Sequence, residues 1–132
     1  MKIKIARIAL AFLLINIVNT PISSASTLNS LVISFSNGTD NTWISKKLVC
    51  SPAGGSIKNS KSICGKLIKL SNPFPKANAD EVCAELYMGP EKAVVKGIWK
   101  GKNVNLTFDK TNSCTNSRWQ ALSFLFIKSN FN

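Results

Sequence analysis

The chain has 132 residues and a net charge of +11, from 17 Lys and Arg against 6 Asp and Glu, with no histidine at all. The missing imidazole excludes Ser-His-Asp and Cys-His catalysis and zinc sites built on histidine. The length suits one small domain, and the positive field favours acidic partners without saying anything about fold.

Lys2, Lys4 and Arg7 make a basic opening, Ile8 to Val18 is an apolar run, and Pro21 with Ser23-Ser24-Ala25 supplies a small-residue end. This pattern predicts a secretory signal peptide over residues 1–25. The run is well short of the ~20 apolar residues that span a bilayer, and no later segment offers a second span. The mature form is therefore expected to be a single domain, residues 26–132, without a membrane partner. Losing three basic residues lowers the net charge from +11 to +8. The expected location is extracellular, or periplasmic in a Gram-negative source.

All four cysteines, Cys50, Cys64, Cys83 and Cys114, lie in the mature part. In an oxidising compartment an even count reads as two disulfides, with three pairings open. No Cys-x-x-Cys occurs, so neither a metal nor another cofactor is expected. The lysines are scattered along the chain rather than blocked, which suits a solvated surface.

Leu31–Ser36 alternates Leu, Ile and Phe against Val, Ser and Ser and reads as a strand. Asn37-Gly38-Thr39-Asp40 is a turn, and Trp43–Cys50 a second strand that closes a hairpin. Ser51–Ser56 reads as a loop, because Pro52 removes a ladder donor and Gly54-Gly55 permits positive φ. Ile63, Cys64, Leu67 and Ile68 share one face at helical spacing. Ser60 or Ser62 is available as N-cap, and Asn72-Pro73 stops the helix.

Val82-Cys83-Ala84-Glu85-Leu86-Tyr87-Met88-Gly89-Pro90 follows neither period. With a cysteine near its start and Gly-Pro at its end, it reads as an exposed, extended loop pinned at one end, a setting suited to binding residues. The alternative is an ordinary surface connection with a structural cysteine. Ala93–Trp99 and Asn103–Phe108 read as strands joined tightly by Lys100-Gly101-Lys102. Ser113–Ala121 is ambiguous and suits a short helix, Leu122–Ile127 reads as the last strand, and 128–132 as a frayed tail. The fold class expected is α+β: a five-stranded, mainly antiparallel sheet with one or two short helices on one face, held by two disulfides.

Several of these segments resemble the Streptomyces subtilisin inhibitor family. Cys50-Ser51-Pro52-Ala53-Gly54-Gly55 is similar to its Cys-x-Pro-x-Gly-Gly turn, and Ile63-Cys64-x-x-Leu67 to the helix with its second cysteine. Val82-Cys83-x-x-x-Tyr87 followed by Pro90 resembles the reactive-site segment. Gly97-Ile98-Trp99-x-Gly101-Lys102-x-Val104 resembles its Gly-x-Trp-x-Gly-x-x-Val hairpin, and Asn112-Ser113-Cys114 with Phe124-Leu125-Phe126 its last cysteine and closing Phe-x-Phe. The likeness spans about residues 30–127.

The resemblance implies the pairing Cys50–Cys64 and Cys83–Cys114, and a protein that often forms a homodimer. It implies a secreted inhibitor of serine endopeptidases that acts through a substrate-like reactive-site loop, Val82, Cys83, Ala84, Glu85, Leu86 and Tyr87. The scissile bond would be Glu85–Leu86, with Glu85 entering the primary specificity pocket. Three departures stand out. Two residues, Met88 and Gly89, separate Tyr87 from Pro90 where the family usually has one. The stretch between the helix and Cys83 is shorter and less glycine-rich. Glu85 stands where Met or Lys is commonest. A carboxylate is costly in an apolar pocket, so Glu85 points to a glutamyl endopeptidase, or to a subtilisin-like protease with a solvent-reachable pocket, and away from trypsin-like targets. Glu85 as a plain surface charge on a domain without inhibitory activity is the competing account.

An enzyme is not expected. Asp80-Glu81 are adjacent on a polar stretch, which reflects solvation better than a tuned carboxylate pair, and no motif supports a Ser-Lys dyad. The second class is a non-inhibitory secreted basic binding module on the same fold, with Trp43, Trp99 and Trp119 beside lysines. Two of these tryptophans fall on predicted strands, where core packing is the better account, so no nucleic-acid partner is expected. Steep salt dependence of DNA binding would mark that class.

Overall fold

The computed structural model describes residues 29–132; the signal peptide expected over residues 1–25 lies outside them. Five strands form one antiparallel sheet: β1 (Asn29–Ser36), β2 (Ile44–Cys50), β3 (Ala53–Gly55), β4 (Lys92–Trp99) and β5 (Lys102–Phe108). Their spatial order is β3-β2-β1-β4-β5. β1 is central, pairing Leu31 with Leu48 on one side and with Gly97 on the other. The alternation read in the sequence sets which face is covered. Leu31, Ile33 and Phe35 are buried beside Leu48, Val95 and Val104, and both helices, α1 (Ser60–Lys69) and α2 (Ser113–Ala121), contribute to the same core.

The fifth strand is not the expected one. Leu122–Ile127 does not pair with the sheet; Ser123–Leu125 is a 3-10 turn. Leu122, Leu125 and Phe126 are its buried residues, a spacing of three and four that is helical, whereas an alternating reading of Phe124-Leu125-Phe126 suggests a strand. The place in the sheet goes to β3, inside the stretch expected to be a loop, where Gly54 pairs with Val49. β3 is an edge strand, so it needs partners on one side only. Pro52 lies in the turn before it, where a missing N–H costs nothing.

The last residues do not fray. Lys128–Asn130 forms a second 3-10 turn, and Asn130 Nδ2 donates to the carbonyl of Phe124 at 3.0 Å. Phe131 stacks on Phe35 with ring centroids 5.1 Å apart. A C-terminal aromatic with a vacant place over β1 docks because burying its ring outweighs ordering the short tail.

The helix starts differ too. α1 is preceded by Asn59 in the left-handed region, with no side-chain cap, so neither Ser60 nor Ser62 serves as N-cap. Ile63, Cys64 and Leu67 are buried as expected, but Ile68 is 53% exposed. Five residues from Ile63, Ile68 has turned about 140° away at about 100° per residue. The ambiguous 113–121 stretch is a helix because Asn112 and Thr115 cap each other. Asn112 Oδ1 accepts from the backbone N–H of Cys114 and Thr115, and Thr115 Oγ1 accepts from the Asn112 N–H. Such reciprocal caps satisfy donors that a helix start leaves orphaned. Trp99 and Trp119 are core residues, whereas Trp43 precedes β2 and is 45% exposed, against the expectation of core packing.

Two disulfides are present, Cys50–Cys64 and Cys83–Cys114, which is the pairing implied by the resemblance. Among the described residues no helix is long and apolar enough to cross a membrane.

Candidate functional site

Residues 82–89 adopt neither helix nor strand. This loop leaves the domain near the start of α2 and returns to it at β4. Apolar packing does not hold it: Val82 is 97% exposed and Tyr87 66%, with Ala84, Glu85, Leu86 and Met88 also exposed. Its shape comes from covalent and hydrogen-bonded ties instead.

The first tie is the disulfide from Cys83 to Cys114, in the first turn of α2. The next residue is held through its backbone on both sides. The Ala84 N–H donates to Ser113 Oγ at 2.9 Å, and the Ser113 N–H donates to the Ala84 carbonyl at 2.9 Å. Two residues on, Asn116 Nδ2 donates to the Leu86 carbonyl at 2.6 Å. Two further on, the Met88 N–H donates to the Lys110 carbonyl at 2.8 Å. The tied residues are 84, 86 and 88, as expected when an extended chain turns successive residues to opposite sides. Glu85 lies between two of them, exposed, with no hydrogen bond to the described residues.

Two ion pairs bracket the loop. Before it, Arg118 Nη1 donates to both carboxylate oxygens of Glu81 at 2.9 and 2.8 Å. After it, Lys110 Nζ lies 3.2 Å from Glu91 and 5.1 Å from the Trp119 ring centroid. The exit is packed backbone to backbone. Gly38, at φ +74°, backs onto the Pro90 carbonyl where any Cβ would collide, so the β1–β2 turn fixes where the loop rejoins the sheet. Burial opposes ionisation of Asp109, at the end of β5. Hydrogen bonds from the Thr111 hydroxyl (2.7 Å) and N–H (3.1 Å), with Thr115 and the nearby Lys92 charge, outweigh it and hold the carboxyl below its ordinary range.

Of the residues singled out in the sequence, Val82, Cys83, Ala84, Glu85, Leu86 and Tyr87 all lie on this loop. The Cys50–Cys64 pair is in the buried core away from it, tying the end of β2 to α1. Of the residues that hold the loop, Asn116 and Lys110 were not among them, and Ser113 figured only as part of the Asn112-Ser113-Cys114 segment. The Asn112-x-x-Thr115 cap was the signal available for Ser113, because it places the first turn of a helix beside Cys114. Asn116 carries no local signal; its partner is 30 residues away. One close group of potential metal ligands occurs among the described residues, Glu81 with Cys83 and Cys114. Both sulfurs are spent in the disulfide, so the group does not suit a cation.

Residues 25–113 match the family model described as subtilisin inhibitor-like. The matched range stops one residue short of Cys114, so the closing segment rests on the geometry above. A subtilisin inhibitor of Streptomyces violaceus is 33% identical over 72 residues, covering 52% of this chain and 49% of its own length. The chain thus spans about half the length of the curated relative it matches.

Proposed function

The chain belongs to the subtilisin inhibitor-like family, and on that premise we propose that it is a secreted inhibitor of serine endopeptidases. Val82–Tyr87 enters the protease cleft as an extended substrate that is cut very slowly, with Glu85–Leu86 as the scissile bond. Backbone pairing with the cleft edge gives affinity, and alternate side chains fill pockets. Glu85 enters the primary pocket and Val82 an apolar one three residues earlier. Leu86 and Tyr87 meet the leaving-group side. The carboxylate of Glu85 needs donors where it is buried, so the preferred target is a glutamyl endopeptidase or a subtilisin-like enzyme with a wet primary pocket.

One observation carries this reading: the bond from Glu85 to Leu86 is bracketed by residues tied to α2 on both sides. A loop already held in extended form loses little entropy on binding. The same ties explain slow cutting. After attack on the Glu85 carbonyl, Cys83 and Ala84 stay fixed to Cys114 and Ser113. Leu86 stays fixed to Asn116 and Met88 to Lys110. The new Leu86 amine therefore remains beside the acyl carbon, attacks it and expels the protease serine, which regains its proton, so the peptide bond re-forms before the amine can diffuse away.

The homodimer implied by the resemblance would use the outer face of the sheet, which no helix among the described residues covers. There Val32 is exposed, with Lys47 and Lys96 directly opposite on the two neighbouring strands. Sedimentation velocity checks it, and the lysines should make association weaker at low salt.

The decisive experiment titrates the purified, disulfide-bonded mature protein against subtilisin, a glutamyl endopeptidase, trypsin and chymotrypsin, together with Glu85→Lys and Glu85→Met. Sub-micromolar inhibition whose target changes with residue 85 is the expected result. Absence of inhibition by all three proteins would overturn the proposal.

A further inference from the structure

Trp43 belongs neither to the core nor to the loop. The other two tryptophans are buried, while Trp43 is half-exposed one residue before β2. A single exposed apolar side chain needs no explanation, and Ile68, alone on α1, is such a case. Trp43 is different because of its neighbours. It is followed by the exposed Ile44. Across a hollow of about 390 Å³, the wall is formed by the loop at Tyr87, which continues the exposed run Leu86, Tyr87 and Met88. Apolar surface gathered at one end of a molecule marks an interaction site, and tryptophan is among the residues most often decisive at interfaces.

The hollow has a chemical preference. Trp43 and Tyr87 line it with Asp40, Asp109 and Lys92. Glu91 also lines it but is paired with Lys110. Asp109 is engaged by Thr111 and faces the Lys92 charge, which leaves Asp40, beside two aromatic residues, to suit a cationic side chain: its stem lies on the aromatics and its charge meets Asp40. The loop residues that face the hollow, from Tyr87 onward, are all C-terminal to the Glu85–Leu86 bond.

We propose that Trp43 is a second contact with the target protease, on the leaving-group side of its cleft, where it receives a lysine or arginine side chain from the protease rim. This rests on the loop reading above and adds to it a partner with a basic rim. The contact lies outside the loop, so it sets affinity without setting which bond is presented. The β1–β2 turn is pressed against Pro90, so Trp43 is held in fixed relation to the loop and binds without a separate ordering cost.

The test uses the mature protein against subtilisin and the glutamyl endopeptidase. Trp43→Ala should weaken inhibition roughly 30-fold, chiefly through faster dissociation, and Trp43→Phe less. Asp40→Asn keeps the oxygen that accepts the Thr42 N–H; it should weaken inhibition roughly threefold and flatten its salt dependence. Ile68→Ala should change nothing. Labelling with 5-fluorotryptophan gives three 19F signals, and the one lost in Trp43→Phe should be the signal that shifts most when the complex forms. Inhibition within twofold of the parent for Trp43→Ala, or an unmoved Trp43 signal in a tight complex, overturns the contact and leaves the loop reading standing. A full Trp43→Ala effect with none from Asp40→Asn overturns the cationic partner. A parent protein that inhibits neither enzyme overturns the loop reading and this contact together.

Discussion

The two disulfides close similar distances, with Cα atoms 5.4 Å apart in each, but they sit in opposite environments. Cys50 and Cys64 are buried among β2, α1 and the core. Cys83 and Cys114 are half-exposed and join a loop without a core of its own to a helix start. Around the first, removing water from Leu48, Ile63 and Leu67 already favours one arrangement, and the bridge adds to it. Around the second, covalent and hydrogen-bonded ties stand in for packing. Conformational order can thus come from burial or from tethers, and only the tethered region leaves its side chains free for a partner.

The contrast is easiest to break at the buried bridge. Cys50→Ser with Cys64→Ser should cost about 3 kcal/mol of chain entropy, plus about 1–3 kcal/mol for each hydroxyl left unpaired in the core. That approaches the whole stability of a small domain, so circular dichroism at 37 °C should show an unfolded chain. Cys83→Ser with Cys114→Ser should cost at most about 4 kcal/mol and leave the sheet spectrum intact, while protease inhibition falls by about two orders of magnitude. Parallel losses of fold and inhibition in both variants would erase the distinction.

Smaller changes sharpen it. Gly38→Ala forces a side chain into a positive-φ position against the Pro90 backbone; it should cost about 2 kcal/mol, read by urea unfolding, and should loosen the loop exit. Asn116→Ala removes the tie to the Leu86 carbonyl, worth about 1 kcal/mol. The thermal midpoint should fall by about 4 °C, while the loop is hydrolysed faster, as seen by mass spectrometry of the protein incubated with protease. The smallest effect is in acid. A depressed carboxyl such as Asp109 contributes stability that is fully present above its unfolded value and lost as pH falls through its folded one, a window below pH about 4. Asp109→Asn should remove that part of the acid sensitivity, measured as thermal midpoint against pH.

The contrast also sorts what could be read in advance. Elements whose side chains repeat locally were legible: the alternation of Leu31, Ile33 and Phe35, the Ile63-Cys64-Leu67 face, and the aperiodic stretch that became the loop. Two strand assignments failed where pairing depended on a neighbour. β3 is three residues with two glycines and exists because Val49 offers it a ladder. Leu122–Ile127 has strand-like composition, but its buried residues, Leu122, Leu125 and Phe126, fall at helical spacing.

By itself the sequence determined the fold class, the aperiodic loop between Cys83 and Pro90, and the even cysteine count that, with export, predicts two bridges. These follow from residue type and short-range spacing, which act within a turn or two of chain. Tertiary structure alone decided that Asn116 holds the loop, that Phe131 closes the core, and that Trp43 stands outside it, lining one hollow with Tyr87. Each depends on groups tens of residues apart being brought to one place. Local patterns do not encode such meetings; they arise only when the whole sheet and its helices have packed.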